Sequence, residues 1–112
     1  MKYFLLLLTI LFASANLKAQ TKDETIKVSG NCGTCKKKIE KAATAAGASY
    51  ASWDKTTKIL DIKYDAAKTN DKKIQENIAA AGYDTQDVKA SDEAYKKLDE
   101  CCQYDRKTVK KQ

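Results

Sequence analysis

The same pattern of elements occurs twice in this chain, and this repeat constrains the fold more than any other feature of the sequence. Each half contains a short strand pattern, a helix pattern with an apolar stripe, the sequence Ala-Ala-Gly and a second strand pattern. The two Ala-Ala-Gly sequences end at Gly47 and Gly82. Glycine adopts the positive φ that often follows a helix, so each of these glycines is predicted to end a helix. The repeat therefore predicts the order β-α-β-β-α-β.

Apolar spacing places the individual elements. Strands are predicted at about 24–29, 49–53, 60–64 and 83–88. The first helix has an i, i+3, i+4, i+7 stripe, formed by Ile39, Ala42, Ala43 and Ala46. Asn70 is a good N-cap for the second helix, whose stripe is Ile74, Ile78 and Ala81. Trp53 continues the alternation of Ser49 and Ala51, so we expect it to face the helices.

This order is that of an α+β, ferredoxin-like βαββαβ sandwich, with two helices on one face of an antiparallel sheet. A C-terminal helix is predicted in addition, at about 91–102. Ser91 can cap it, and one of its faces carries Tyr95, Leu98 and Cys102. The tail from Arg106 to Gln112 is expected to fray.

The chain divides into three segments: residues 1–19, 20–90 and 91–112. The first has the features of a secretory signal peptide, with a positive start at Lys2 and a nearly all-apolar run at Tyr3–Ala15. That run is shorter than the roughly 20 residues that a membrane helix needs. We therefore expect a periplasmic or secreted protein without a membrane span after signal cleavage.

The sequence Gly-Asn-Cys-Gly-Thr-Cys at 30–35 lies between the first strand pattern and the first helix pattern. Two thiols at such a turn, Cys32 and Cys35, can bind one soft metal ion or form a redox disulfide. The helix N-terminus favours their thiolate form. We expect both thiols to lie on the loop and the first helix turn, outside the core.

Residues 36–38 are lysines. They either form a solvated face, or lower the thiol pKa values and dock an acidic partner.

Missing residue types narrow the chemistry. The chain has no histidine and no proline, and its only methionine is Met1. An acid–base site that uses histidine is therefore excluded, and so is a zinc site with histidine ligands. Thioredoxin-like enzymes carry a proline in or opposite their CxxC, so the absence of proline argues against a dithiol-disulfide oxidoreductase. We find no paired carboxylates, phosphate loop or nucleophile–base pair, and therefore expect no enzyme.

Charge points to a soluble surface rather than to a nucleic-acid partner. The formal net charge is +6, but the basic residues are scattered and the aromatic residues are not interleaved with them. We therefore expect no nucleic-acid binding.

Residues from about 24 to 88 resemble the heavy-metal-associated domain family of copper chaperones, copper-ATPase N-terminal modules and periplasmic mercuric-ion-binding proteins. The resemblance rests on Val-Ser-Gly-Asn-Cys-Gly-Thr-Cys at 28–35 with Ile39 and Glu40 after it, Ile-Lys-Tyr-Asp at 62–65, and Ala-Gly-Tyr at 81–83. The usual family motif is Gly-Met-x-Cys-x-x-Cys. Here Asn31 alone separates Gly30 from Cys32, so the loop is one residue shorter and lacks the methionine.

The resemblance implies a metal site and a role. Cys32 and Cys35 would bind Cu(I), the first choice, or else Hg(II) or Zn(II). Asn31 would lie near the site, and Tyr83 would pack beside the metal and shield it. The protein would carry the ion and transfer it by thiolate exchange to a membrane metal transporter or another metal-binding domain.

Cys101 and Cys102 leave several alternatives open. Adjacent cysteines rarely pair with each other because the geometry is strained. They are extra metal ligands, disulfide partners of Cys32 or Cys35, or bridges between two chains. We predict that the C-terminal helix brings one of them toward the CxxC loop. Two other functions also remain open: a periplasmic dithiol-disulfide oxidoreductase, and a disulfide-stabilised interaction module that binds no metal.

Overall fold

The computed structural model describes residues 20–106, so the predicted signal peptide and residues 107–112 lie outside the described residues. The elements in chain order are β1 (Thr21–Lys27), α1 (Gly33–Ala45), β2 (Ala48–Trp53), β3 (Ile59–Asp65), α2 (Asp71–Ala80), α3 (Asp92–Lys96) and a 3-10 turn (Glu100–Cys102). The strands form an antiparallel sheet in the order β1-β3-β2. The predicted ferredoxin-like architecture with an added C-terminal helix is confirmed. No helix in the described residues is long and apolar enough to cross a membrane.

The predicted fourth strand, 83–88, is reduced to one isolated bridge between Val28 and Thr85. The chain leaves β1 directly after this bridge, because the Thr85 N–H donates to the Val88 carbonyl at 2.8 Å and closes a local turn. Buried Gln75 on α2 fixes the turn by accepting a hydrogen bond from the Thr85 hydroxyl at 2.9 Å. Alternation alone predicted a strand here, whereas these side-chain bonds favour the turn.

Both helices of the repeat end at the predicted glycines. Gly47 and Gly82 have φ values of 109° and 110°. The Asn70 side chain caps α2, as predicted, by accepting an N–H of the first turn at 2.8 Å. A Cβ atom on Gly82 would lie 2.8 Å from the Ala94 carbonyl oxygen and 2.9 Å from the Leu98 side chain. Glycine at this position therefore also permits close approach of the C-terminal part of the chain.

The core lies between the helices and one face of the sheet. The buried side chains of strands and helices in this cluster are Ile26, Cys35, Ile39, Ala42, Ala43, Ala48, Trp53, Leu60, Ile62, Tyr64, Ile74 and Ile78. The predicted orientation of Trp53 is confirmed: its indole N–H donates to the Val28 carbonyl at 2.9 Å. Ser49 is exposed instead, because the register shifts between Ala48 and Tyr50 and the buried position moves to Ala48.

Residues 91–106, which we call the C-terminal segment, fold back over the domain. Ser91 caps α3, as predicted, by accepting the Ala94 N–H at 3.1 Å. The helix is shorter than predicted, and Cys102 lies in the separate 3-10 turn that follows. Leu98 and Cys102 are nevertheless both buried, so the predicted apolar face contacts the domain.

The expectation of a fraying tail is wrong for Arg106. Its guanidinium donates two hydrogen bonds of 3.0 Å to the buried Asp84 carboxylate and one of 2.8 Å to Asp92. It also donates to the Ala90 carbonyl at 2.8 Å. A buried carboxylate requires a partner of opposite charge, and Arg106 supplies it. This contact was not predicted because no pattern in the sequence indicated that Asp84 would be buried. The end of the C-terminal segment is thereby fixed to the loop after α2.

Candidate metal centre

Three cysteine sulfurs meet at the N-terminal end of α1. Cys32 precedes the helix in an extended conformation, with φ −145° and ψ −179°, and Cys35 lies in its first turn. The two sulfurs are 3.6 Å apart. Cys102 reaches the same place from the 3-10 turn, so that the three sulfur atoms all lie within 4.8 Å of one another. All three are free thiols.

The three thiols differ in exposure. Cys32 is partly exposed, whereas Cys35 and Cys102 are each 0% exposed. Our expectation that both CxxC thiols lie outside the core is therefore wrong for Cys35. Cys35 precedes Ile39 by four residues, so it extends the buried stripe of α1 by one more turn. The pair thus presents one accessible sulfur and one sulfur sheltered by the core.

Cys101 lies beside this group of three sulfurs but is not part of it. Its side chain is exposed, and its sulfur is 3.9 Å from that of Cys102, so the adjacent pair is not bonded. Its carbonyl oxygen lies 3.6 Å from the Cys32 sulfur. The Asn31 amide donates to the same carbonyl at 3.4 Å, or in its other orientation accepts from the Tyr104 N–H at 3.3 Å. Either orientation joins the CxxC loop to the C-terminal segment.

The helix start favours the ionised form of Cys32. The N–H of Cys35 is the largest influence, and together with the Cys35 and Cys101 thiols and the N–H of Thr34 it lowers the pKa of Cys32 to about 6. A thiolate at a helix N-terminus gains from these N–H dipoles. Cys32 is therefore largely ionised at neutral pH.

Two of the three lysines after the motif, Lys36 and Lys38, have structural partners. Lys36 donates to Glu40 at 2.6 Å and to the Trp53 carbonyl at 2.9 Å. Glu40 in turn accepts the Trp53 N–H at 2.9 Å, so these two side chains join α1 to the end of β2. Lys38 forms a 3.5 Å ion pair with Asp99 of the C-terminal segment. The low pKa of Cys32 arises from the helix N–H groups and not from these lysines.

Tyr83 lies beside the two buried thiols. Its ring is 0% exposed, and its hydroxyl has no hydrogen-bond partner in the described part of the chain. Burial raises the pKa of Tyr83, and the neighbouring Cys102 and Cys35 thiols raise it further. Burial also raises the pKa of Cys102 to about 12. At neutral pH the inner part of the site therefore holds a protonated thiol beside a hydroxyl that forms no hydrogen bond of normal geometry with the described residues.

Tyr104 holds the C-terminal segment over this site, and sequence reasoning missed it. Its hydroxyl donates to the Gly82 carbonyl at 3.0 Å and accepts the Asp84 N–H at 2.8 Å. Its ring stacks on Tyr83 with centroids 6.2 Å apart and meets the edge of Tyr95 at 5.0 Å. The only signal in the sequence was an aromatic residue within an otherwise polar tail.

Comparison with protein families identifies the domain. A family model described as heavy-metal-associated domain matches residues 25–84, which is just over half of the chain. The chain belongs to the heavy-metal-associated domain family. None of the curated proteins compared with the chain matches it.

Solved structures show the same fold. A CopZ metallochaperone is 27% identical with a TM-score of 0.54, covering 57% of this chain and 98% of its own. Oxidized MerP from Ralstonia metallidurans CH34 is 29% identical with a TM-score of 0.57, covering 60% and 96%. A copper form of a CopA variant from Bacillus subtilis is 32% identical with a TM-score of 0.51, covering 60% and 91%. The heavy-metal-associated domain is thus shared with these proteins, and the matches cover only part of this longer chain.

The donor atoms in this heavy-metal-associated domain fit a soft metal ion. Thiolate sulfur is the ligand that Cu(I) and other soft ions prefer. Metal–thiolate bonds of about 2.3 Å, as for zinc, place three sulfurs around one ion roughly 4 Å apart. The 3.6 Å separation of the Cys32 and Cys35 sulfurs, within a group no wider than 4.8 Å, is close to this spacing. Small side-chain movements are enough to bind an ion here.

Proposed function

We propose that this protein binds a soft metal ion through Cys32 and Cys35 and transfers it to an acceptor protein, with Cu(I) as the preferred ion. Hg(II) is the second choice and Zn(II) the third. The observation that carries the proposal is the pair of free sulfurs 3.6 Å apart at the start of α1. The names of the similar structures, a metallochaperone and a copper form of CopA, support it.

The unequal exposure of the two thiols favours a defined order of transfer. Partly exposed Cys32 is where an incoming acceptor thiolate can reach the ion, while buried Cys35 is sheltered. The acceptor thiolate binds first, which makes the ion three-coordinate, and the Cys32 sulfur then leaves as a thiolate. A second acceptor thiolate then displaces Cys35, so that each metal–sulfur bond broken is replaced by one to the acceptor. The ion is never released bare, so transfer does not require a weak site.

The compartment and the acceptor form part of the same proposal. The features of residues 1–19 support a periplasmic or secreted location. The acceptor we propose is a membrane metal transporter or another metal-binding domain, because either can offer the thiolates that the exchange needs. A copper-binding domain of a P-type ATPase, HMA7, is among the structures with this fold.

One observation favours a second function, dithiol-disulfide exchange: the thiol of Cys32 has a pKa lowered to about 6. Low-pKa thiols in CxxC motifs are typical of redox enzymes. The chain has no proline, however, and such enzymes carry one beside the motif. An insulin-reduction assay separates the two functions. We expect no reduction above the rate with free dithiothreitol.

Anaerobic titration tests the proposed function. The reduced protein is titrated with Cu(I), Hg(II) or Zn(II) against a competing chelator, and compared with Cys32→Ser, Cys35→Ala and the control Cys101→Ser. Alanine is used at buried position 35 because it adds no polar group to the core. We expect one tightly bound Cu(I) in the protein and the control, and loss of tight binding in the other two variants. Retained tight binding in either would contradict the assignment.

A further inference from the structure

The family match ends at residue 84, so the C-terminal segment is an addition to the matched domain. It places one sulfur, that of Cys102, within 4.8 Å of both CxxC sulfurs. The neighbouring Cys101 carries the same chemical group but is exposed, and its sulfur is not part of this group of three. The segment therefore directs one particular thiol to the site.

Three separate contacts fix the position of Cys102. Leu98 packs against Gly82, where no side chain larger than hydrogen fits. The Tyr104 hydroxyl bonds to the backbone on either side of Tyr83. Arg106 closes the segment with its double hydrogen bond to Asp84. Because contacts before and after Cys102 in the chain fix its position, its sulfur is held next to the CxxC pair.

The Tyr83 hydroxyl is a second and independent sign of a ligand. A fully buried hydroxyl without a partner is costly and uncommon in folded proteins. Its neighbours are the Cys35 and Cys102 thiols, which raise its pKa but lie outside normal hydrogen-bond geometry. Thiolate sulfur bound to a metal still accepts hydrogen bonds, so a bound ion would give this donor the acceptor that it lacks.

We propose that Cys102 is a third sulfur ligand, so that the C-terminal segment closes the site around a soft ion held by Cys32, Cys35 and Cys102. This inference rests on the proposed function, since it adds a ligand to the same site. Binding of Cu(I) to the reduced protein would form three metal–sulfur bonds and release the protons of the thiols. The resulting negative charge would be stabilised by the N–H groups at the start of α1 and by the Tyr83 hydroxyl.

A third internal ligand changes how the ion leaves. An acceptor thiolate must displace Cys102 as well as the CxxC pair, so the segment would slow release and strengthen binding. The ion would therefore be retained until an acceptor with at least two thiolates engages the site. Without Cys102 the protein would keep the two-sulfur site of the domain and release the ion faster.

X-ray absorption at the copper edge, with one equivalent of Cu(I), tests the third ligand. We expect three sulfur ligands in the unmodified protein and in the matched control Cys101→Ser, and two in Cys102→Ser. Competition with a chelator should show affinity at least about tenfold weaker in Cys102→Ser, which corresponds to about 1.4 kcal/mol. Unchanged coordination number and affinity in Cys102→Ser would overturn the inference and leave the two-ligand site intact.

A second measurement uses the unmodified protein, in case Cys102→Ser fails to fold. With ¹³C-labelled cysteine, adding Cu(I) should shift the Cβ resonances of Cys32, Cys35 and Cys102, while that of Cys101 stays in place. A fixed Cys102 resonance, with the other two shifted, would overturn the third ligand alone. Failure of the unmodified protein to bind Cu(I) at all would overturn both this inference and the proposed function.

Discussion

Cys32 illustrates how a single residue acquires its chemistry from its position. The same thiol in an unfolded chain has a pKa of about 8.5, whereas the helix N–H groups lower the pKa of Cys32 to about 6. Buried Cys102 shows the opposite effect, with a pKa raised to about 12. The site therefore combines an ionised sulfur at its entrance with a protonated one inside.

Alkylation of Cys32 should report its lowered pKa. In the reduced protein, pulses of iodoacetamide between pH 5 and 9 should give a half-maximal rate for Cys32 near pH 6, measured by peptide mass spectrometry. In urea the midpoint should move to about 8.5. Ionised Cys32 favours the folded state above the unfolded pKa, and this contribution disappears as the pH falls through about 6. Equal midpoints with and without urea would contradict the assignment.

Trp53 is the largest of the fully buried side chains in the described residues. It is 1% exposed, and a Cβ on Gly30 would come within 3.0 Å of its ring. We expect Trp53→Ala to lower the free energy of unfolding by about 3–5 kcal/mol in a urea titration. Tyr50→Ala, on the same strand at 46% exposure, is the control and should change it by less than about 0.5 kcal/mol. Similar effects of the two substitutions would show that Trp53 is not a core residue.

At the scale of elements, the turn after α2 joins the domain to the C-terminal segment. Gly82→Ala should lower the free energy of unfolding by more than about 2 kcal/mol, because alanine would be strained at φ 110° and would clash with Ala94 and Leu98. Gly33→Ala is the control, since nothing lies within 4 Å of the added Cβ. It should change stability by less than about 1 kcal/mol. Equal urea midpoints for the two variants would contradict the proposed packing.

Arg106 provides a second test of how the C-terminal segment is fixed. Its side chain is 14% exposed and that of Asp84 is 2% exposed. Removing one partner of such a pair leaves a buried charge, so Arg106→Ala should cost about 3 kcal/mol of unfolding free energy. The exposed Lys97 of the same segment is the control, and Lys97→Ala should cost less than about 0.5 kcal/mol. If Arg106→Ala were as mild as the control, the segment would be held by other contacts.

Local signals allowed the elements, but not all of their contacts, to be predicted. Glycines with positive φ, the Asn70 cap and the stripe of α1 depend on neighbouring residues, and they could be read directly from the sequence. The predicted fourth strand was too long because the Thr85–Val88 turn depends on Gln75, which lies on the preceding helix. A side-chain bond between two elements has no periodic signature in the sequence.

The candidate site could also be predicted from the sequence only in part. The CxxC at a strand-to-helix turn identified Cys32 and Cys35. The soft-ligand count pointed to Cys101 and Cys102 alike, and only the structure distinguishes Cys102. The burial of Cys35 follows the stripe of α1 one turn back from Ile39, a signal that the sequence contained. The role of Tyr104 could not be predicted, because it depends on how the C-terminal segment packs. The orphaned Tyr83 hydroxyl is likewise a property of the packed site alone.

At the scale of the whole molecule, a domain of known family is joined to an added segment. The domain supplies a two-sulfur turn, and the segment covers it with Cys102, Tyr104 and the Arg106–Asp84 pair. In the proposed function, metal binding, retention and transfer would all depend on this one arrangement. The central claim is that the ion moves directly from sulfur to sulfur.

The rate of copper transfer tests this claim most directly. The protein loaded with one Cu(I) is mixed anaerobically with increasing amounts of a reduced, copper-free heavy-metal-associated domain that has its own CxxC, and transfer is followed by rapid separation and metal analysis. Because transfer by ligand exchange requires the two proteins to meet, the rate should rise in proportion to the acceptor concentration. A rate independent of acceptor concentration would mean that the ion dissociates first, and would contradict the account.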